Sequence, residues 1–301
     1  MMEKFKPYFK FIFVFTFGFL LLGCQPNAKN TENSAMNQQP YVLHLGLQGF
    51  KDFTQYNQGE VENHPVASFR SLRFSPPNLG QIKIENGTSS LVIDHVFYVF
   101  GTSFHKEEGI EGIDIDAGLN KEEFVRPEQA YQAYVDLMKQ VNQAGWKLYI
   151  SRYNPRIAKE DNMRYLMKWG YMIDPSYILT YEEWQNIINT SGGNSFGYRL
   201  YANGLLLNIR INQTKKMEDG KEQYIVRYTF DTIRYNQRNL MDDSENNINT
   251  YTMTPLELKK AFDNEERRDK RLREQEEKTA IMEGYRIDEN YIGPDLWQYV
   301  K

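Results

Sequence analysis

Any metal or acid–base chemistry in this chain would begin with its four histidines, His44, His64, His95 and His105. His95 and His105 share a sheet-like stretch with Asp94, Asp114 and Asp116, a set of imidazoles and carboxylates suited to a metal ion or to a hydrolytic base. The spacing argues against both. Neighbouring side chains in a strand point to opposite faces, so Asp94 and His95 would meet one ion only across a bulge. No HxH or HExxH spacing occurs. Asp114 and Asp116 open a segment like a calcium loop, but Leu119 stands where glycine is needed and Val125 where the closing glutamate belongs. There is no G-x-S-x-G, and Gly192 and Gly193 lack the lysine and serine of a phosphate-binding loop. Adjacent acids such as Glu107 and Glu108, Glu122 and Glu123, or Glu182 and Glu183 are ordinary on solvated faces. The expectation is a protein that is not an enzyme, with no metal and no cofactor; the one alternative with chemistry is a hydrolase around His95, His105 and Asp114.

The remaining reactive side chain is Cys24, the only cysteine, so no disulfide can form within the chain. It closes an apolar run, FIFVFTFGFLLLGC, preceded by Lys4, Lys6 and Lys10. The run is shorter than the roughly 20 apolar residues that span a bilayer and has the length of the apolar region of a secretory signal. Leu21, Leu22, Gly23 and Cys24 resemble the lipobox of bacterial lipoproteins. The resemblance implies that residues 1–23 are a signal peptide, that Cys24 is diacylated and becomes the first residue, and that lipid is the attachment to the membrane. At about 0.8 kcal/mol per buried methylene, two or three chains hold a protein stably where one would not. Gln25 stands where an aspartate commonly retains Gram-negative lipoproteins at the inner membrane. The implied address is therefore the outer membrane, facing the periplasm, or the cell membrane in a Gram-positive host.

Composition limits the partners. The 301 residues carry a formal net charge of −4, and loss of the lysine-bearing signal makes the remainder more acidic. An acidic balance without a basic cluster is unsuited to nucleic acid, where phosphate neutralisation dominates binding. The expected partners are the membrane, through the lipid, and another protein.

Residues 24–40 hold almost no apolar side chain and read as a flexible tether, with a reach of about 20–25 Å. The body, 41–250, reads as α+β: antiparallel sheets packed with helices, either one continuous unit or two subdomains split near 155. Alternation over 41–50, with Leu43, Leu45 and Leu47 on one face, predicts a strand. A short strand follows near 68–74, and Asn86 with Gly87 marks a hairpin spanning 81–100 through a two-residue turn, its apolar second arm central in the sheet. Another strand is expected over 111–116. Pro127, a stripe of Ala130, Tyr134, Leu137, Met138 and Val141, and then Gly145 predict a helix over 127–144. A strand over 146–153, a helix over 158–169 stopped by Gly170, and a helix from Tyr181 capped by Thr180 and Glu183 come next, broken at 191–193. A meander over 196–235 turns at Asn203 and Gly204 and at Asp219 and Gly220, and a polar stretch over 236–249 follows it.

Residues 251–301 read as a long charged helix and an aromatic tail. Thr254, Pro255 and Glu257 specify its start. Asp263 with Arg267, Glu266 with Lys270, Asp269 with Arg273 and Glu274 with Lys278 are spaced for ion pairs along it. No apolar residue occurs over 263–271, so the middle of the helix should face water or a partner. The tail packs back on the body or serves as a recognition segment. Tyr291, Trp297, Tyr299, Arg267 and Arg271 are the candidate partner-binding residues, and Cys24 is the lipidation site. Address and general build resemble the immunity lipoproteins encoded beside type VI secretion effectors. That likeness implies a periplasm-facing protein that neutralises an envelope-targeting toxin; the alternative is an envelope assembly or maintenance lipoprotein contacting peptidoglycan or an outer-membrane complex.

Overall fold

The first strand ends earlier than its alternation predicts. The structure, a computed structural model, describes residues 39–56, 61–64 (backbone alone), 67–171, 174–190, 195–243 and 248–301. The signal, Cys24, most of the tether and the break at 191–193 lie outside these residues. β1 is only Tyr41–Leu43, and α1 (Leu47–Gln55) begins where the strand was expected to continue. Gly46, at φ 78°, makes the turn, exchanging two backbone hydrogen bonds with Ile110. Buried Asp52 then fastens α1 to the strand end, accepting from the His44 N–H at 2.8 Å and from Gln48 at 2.9 Å. Leu47 is consequently 60% exposed rather than turned inward.

β2 (Val61–His64) pairs with β3 (Ala67–Arg73). β4 (Gly80–Ile84) and β5 (Leu91–Ser103) form the expected hairpin, but a 3-10 turn over Gly87–Ser89 joins them. Asn86 has φ −147°, which excludes the two-residue turn. β5 is long enough for β4 and β3 to share one of its edges while β6 (Gly112–Gly118) takes the other. The ladder shifts register beside His95, which sits at φ 57°: a bulge stands where Asp94 and His95 would otherwise alternate.

α2 (Pro127–Gln143) buries the apolar stripe read from the sequence, Ala130, Tyr134, Leu137, Met138 and Val141. β7 keeps only Lys147 and Leu148 of the strand expected over 146–153. α3 (Asn162–Trp169) ends at Gly170 with φ 74°, and α4 (Tyr181–Thr190) starts from the capping box of Thr180 and Glu183. β8 (Ser195–Ala202), β9 (Leu205–Lys216) and β10 (Glu222–Thr232) complete the meander, turning at Asn203 and Gly204, both with positive φ. The segment after it is not a continuing strand and polar linker. Thr232 caps α5 (Ile233–Met241), whose Ile233 and Met241 are buried. α6 (Pro255–Met282) and α7 (Trp297–Val300) end the chain.

The result is an α+β fold. A ten-stranded, mostly antiparallel sheet runs β1-β4-β5-β6-β10-β9-β8-β7, with β3 on β5 and β2 on β3. Strands from both sides of residue 155 share it, and residues 39–301 form one unit. One face packs on α2 and α4 around Tyr134 and Trp184, with ring centroids 4.9 Å apart, and the Tyr134 and Tyr198 hydroxyls bond each other at 2.9 Å. Burial pushes the Tyr134 phenol up to about 12. Alternation turns Leu206 and Tyr201 to the opposite face, where α5, α6 and α7 cover them through Ile233, Phe262, Leu296 and Val300. Among the described residues no helix is long and apolar enough to cross a membrane.

Candidate functional site

The charged helix is the element on which the candidate residues depend. Its first turn is held as the sequence predicts: the Thr254 hydroxyl accepts the Glu257 N–H at 3.4 Å, and Glu257 accepts the Thr254 N–H at 2.9 Å. Its middle packs on the chain's own loop over 149–157 rather than standing clear. Asp269 is 2% exposed and takes Arg152 Nε at 3.2 Å. Arg156 grips both oxygens of Glu277 at 2.7 and 3.1 Å, the bidentate geometry that makes an arginine–carboxylate pair strong. Asp263 pairs with Lys259, and Asp269 with Arg152 and Arg268, in place of the expected partners Arg267 and Arg273. Apolar spacing gives no warning of this, because the docking is carried by ions and by Phe262 beneath the Arg152 guanidinium, 4.7 Å away.

Beyond α6 the tail returns across the same loop. Tyr291 Oη accepts the Ile150 N–H at 2.8 Å and donates to the Leu148 carbonyl at 3.2 Å; burial pushes its phenol well up. Trp297 packs against Phe262 with centroids 5.2 Å apart, under Lys259. These residues enclose a cleft of about 310 Å³. Phe262 and Trp297 give it apolar walls, and Arg152, Lys259 and Arg273 line it together with Asp263, Glu266 and Asp295. With its charges balanced, the cleft suits a neutral or zwitterionic group with an apolar part. The other candidates lie elsewhere. Arg267 and Arg271 are on the solvent face of α6, and Tyr299 packs on Gly204 in the β8–β9 turn. The structure thus brings Tyr291 and Trp297 together and separates them from Tyr299, Arg267 and Arg271.

The histidine and aspartate set is also dispersed. Asp94 accepts from Gln81 at 2.5 Å, Asp114 from Thr229, and Asp116 from Arg227 at 2.7 and 2.8 Å. His105 turns to the buried Glu111, Nδ1 to Oε1 at 2.8 Å, and its ring stacks on Tyr251. Burial raises the Asp114 carboxyl, with Thr229 opposing the shift. Among the described residues no group of three or more His, Cys, Asp or Glu side chains gathers as metal ligands do.

A second cavity, about 210 Å³, shares Tyr149 and Ile150 with the first and is walled by Tyr165, Trp169 and Tyr171 with Arg199. Sequence reasoning missed these residues because they come from a helix end, a loop and a strand that only the fold joins. The tail is latched beside it. Asp161, 8% exposed, accepts the Arg286 N–H at 2.7 Å and its guanidinium at 3.1 Å, which holds the Asp161 carboxyl below its ordinary 3.8. A depressed folded-state pKa contributes stability above the ordinary value and loses it as pH falls through the folded one. Asp161→Asn is therefore expected to lower Tm at neutral pH and to flatten the fall of Tm below about pH 4. Thermal melts of both proteins across pH check this; parallel curves would exclude the latch as a source of acid sensitivity.

No family model, curated protein or solved structure matches this chain.

Proposed function

We propose that this chain is a lipoprotein anchored through acylated Cys24, facing the periplasm, that works by binding another protein. The lipobox-like Leu21-Leu22-Gly23-Cys24 supports the address. The observation that supports binding is a set of large exposed apolar side chains on α3 and at the end of α6. Trp169 is 54% exposed, Ile281 58% and Met282 79%. Two contacts draw the two helix ends together: Lys168 to Glu283 at 2.6 Å, and Arg164 to the Gly284 carbonyl at 2.6 Å. Exposed apolar side chains on two helices held together by polar contacts support a protein-docking role, because their burial is favourable and costs little ordering. The partner that fits this reading best is an envelope-targeting effector.

Neither Ile281 nor Met282 is buried, and lysine suits the last turn of a helix, so Ile281→Lys with Met282→Lys should leave the melting curve unchanged. Residues 39–301 are expected to retain a partner from envelope extracts or the product of an adjacent gene, and the double variant to lose about tenfold or more in affinity. Equal retention by both proteins, or protection of cells from the adjacent toxin by the variant as well as by the parent, would remove this surface from the reading.

A further inference from the structure

Strand register places three arginines on the sheet face turned away from α2 and α4. Arg227 on β10 lies directly opposite Arg210 on β9, Arg210 opposite Gly197, and Arg199 on β8 opposite Asn208. Like charges directly opposite each other destabilise a sheet, and Arg199 is on the diagonal from Arg210. Asp116 neutralises Arg227 alone, with two hydrogen bonds. Arg199 and Arg210 stack over the Tyr171 ring, 4.4 and 6.0 Å from its centroid, and neither meets a carboxylate among the described residues. In a chain of negative formal charge this is a local excess of two guanidinium groups.

Arg199 also forms part of the 210 Å³ cavity, whose other walls include Tyr165, Trp169, Leu148 and Ile150. A cavity of roughly 150 Å³ already admits benzene. This one accordingly takes an aromatic or branched aliphatic group, with the guanidinium of Arg199 at its side.

We propose that this cavity binds a carboxylate carried on an apolar or aromatic group, the carboxylate on Arg199 with Arg210 beside it, and the apolar part between Tyr165 and Trp169. Three features converge on that chemistry. A guanidinium stacked on a ring keeps its N–H edge free, and that edge matches a carboxylate with two parallel hydrogen bonds. Arg199 and Arg210, which Asp116 leaves without a counter-charge, gain one when an anion arrives. Apolar walls reject a small hydrated ion and retain an amphipathic one. The carboxylate can belong to a free acid or to the last residue of a peptide, and the reading does not depend on the docking surface at Ile281 and Met282.

The test is isothermal titration of residues 39–301 with N-acetylphenylalanine, its amide, a short peptide ending in phenylalanine with a free carboxylate, acetate and inorganic phosphate. N-acetylphenylalanine is expected to bind, and the amide and acetate each to bind about tenfold more weakly or worse. Tighter binding of the peptide than of the acid assigns the site to chain ends; equal binding assigns it to free acids. Arg199→Met keeps the aliphatic stem and should lose the preference for acid over amide, while Arg199→Lys, which keeps the charge, should retain part of it. Unchanged binding in Arg199→Met, equal affinity for the amide, tighter binding of phosphate, or no heat from any probe at millimolar concentration would each overturn the proposal.

Discussion

Cys24→Ala is expected to abolish acylation and with it stable membrane attachment. The parent, labelled with radioactive palmitate, should carry label and sediment with membranes after a salt wash, because acyl chains bury about 0.8 kcal/mol per methylene and are insensitive to ionic strength. The variant should carry no label and appear either as a soluble protein or as an uncut precursor of higher mass. The effect on labelling is large because Cys24 is the only cysteine, so no other thiol can take the acyl groups, and the formal net charge of −4 gives no general attraction to anionic headgroups. Label and sedimentation identical to the parent would overturn the lipoprotein reading, and the body's fold would be unaffected by that outcome.

Asp269→Ala is expected to cost about 3–5 kcal/mol, a fall in Tm of roughly 10 °C. Asp269 is buried, and it is the carboxylate that Arg152 Nε meets. Arg152 Nη1 and Nη2 are themselves buried without hydrogen-bond partners among the described residues. Truncating the acid therefore leaves a guanidinium beneath α6 that has lost its paired carboxylate and keeps the Phe262 ring against it, with Glu265 as the nearby acid. The converse experiment separates charge from packing. Replacing both partners, Arg152→Met with Asp269→Leu, removes the uncompensated charge and should return stability to within about 1 kcal/mol of the parent. Chemical denaturation of the parent, the two single variants and the double completes the cycle. Hydrogen exchange should show the loss centred on the middle of α6 and on the tail that shares its cleft. A double variant as unstable as Asp269→Ala alone would refute the electrostatic origin of the docking.

How much of the fold could be read in advance follows from how local each determinant is. Caps and left-handed glycines act within one turn of backbone, so Thr254 with Glu257, Thr180 with Glu183, Gly145 and Gly170 mark their helices correctly. The stripe on α2 and the alternation in β9 and β10 are equally local, since each repeats the period of its own element. The failures are those in which a distant contact overrides the pattern. The strand expected over 41–50 yields at Gly46 because Ile110 pairs there and Asp52 reaches back to His44. α5 was concealed in polar sequence because its helical face is completed by Tyr149 and Val300, about 60 to 90 residues away along the chain.

The candidate site divides along the same line. From sequence alone come the α+β class, the start of α6 and the aromatic character of the tail, together with the proposal of a lipid-anchored address, because each rests on residue type and short spacing. Tertiary structure alone decides that α6 lies against loop 149–157, that Tyr291 and Trp297 share a cleft while Arg267 and Arg271 face solvent, and that Arg199, Arg210 and Arg227 converge on one sheet face. The physical reason is register and burial. A charged side chain reads as solvated until the fold supplies a partner at hydrogen-bond distance, and arginines on three strands become neighbours only once the pairing of those strands is set.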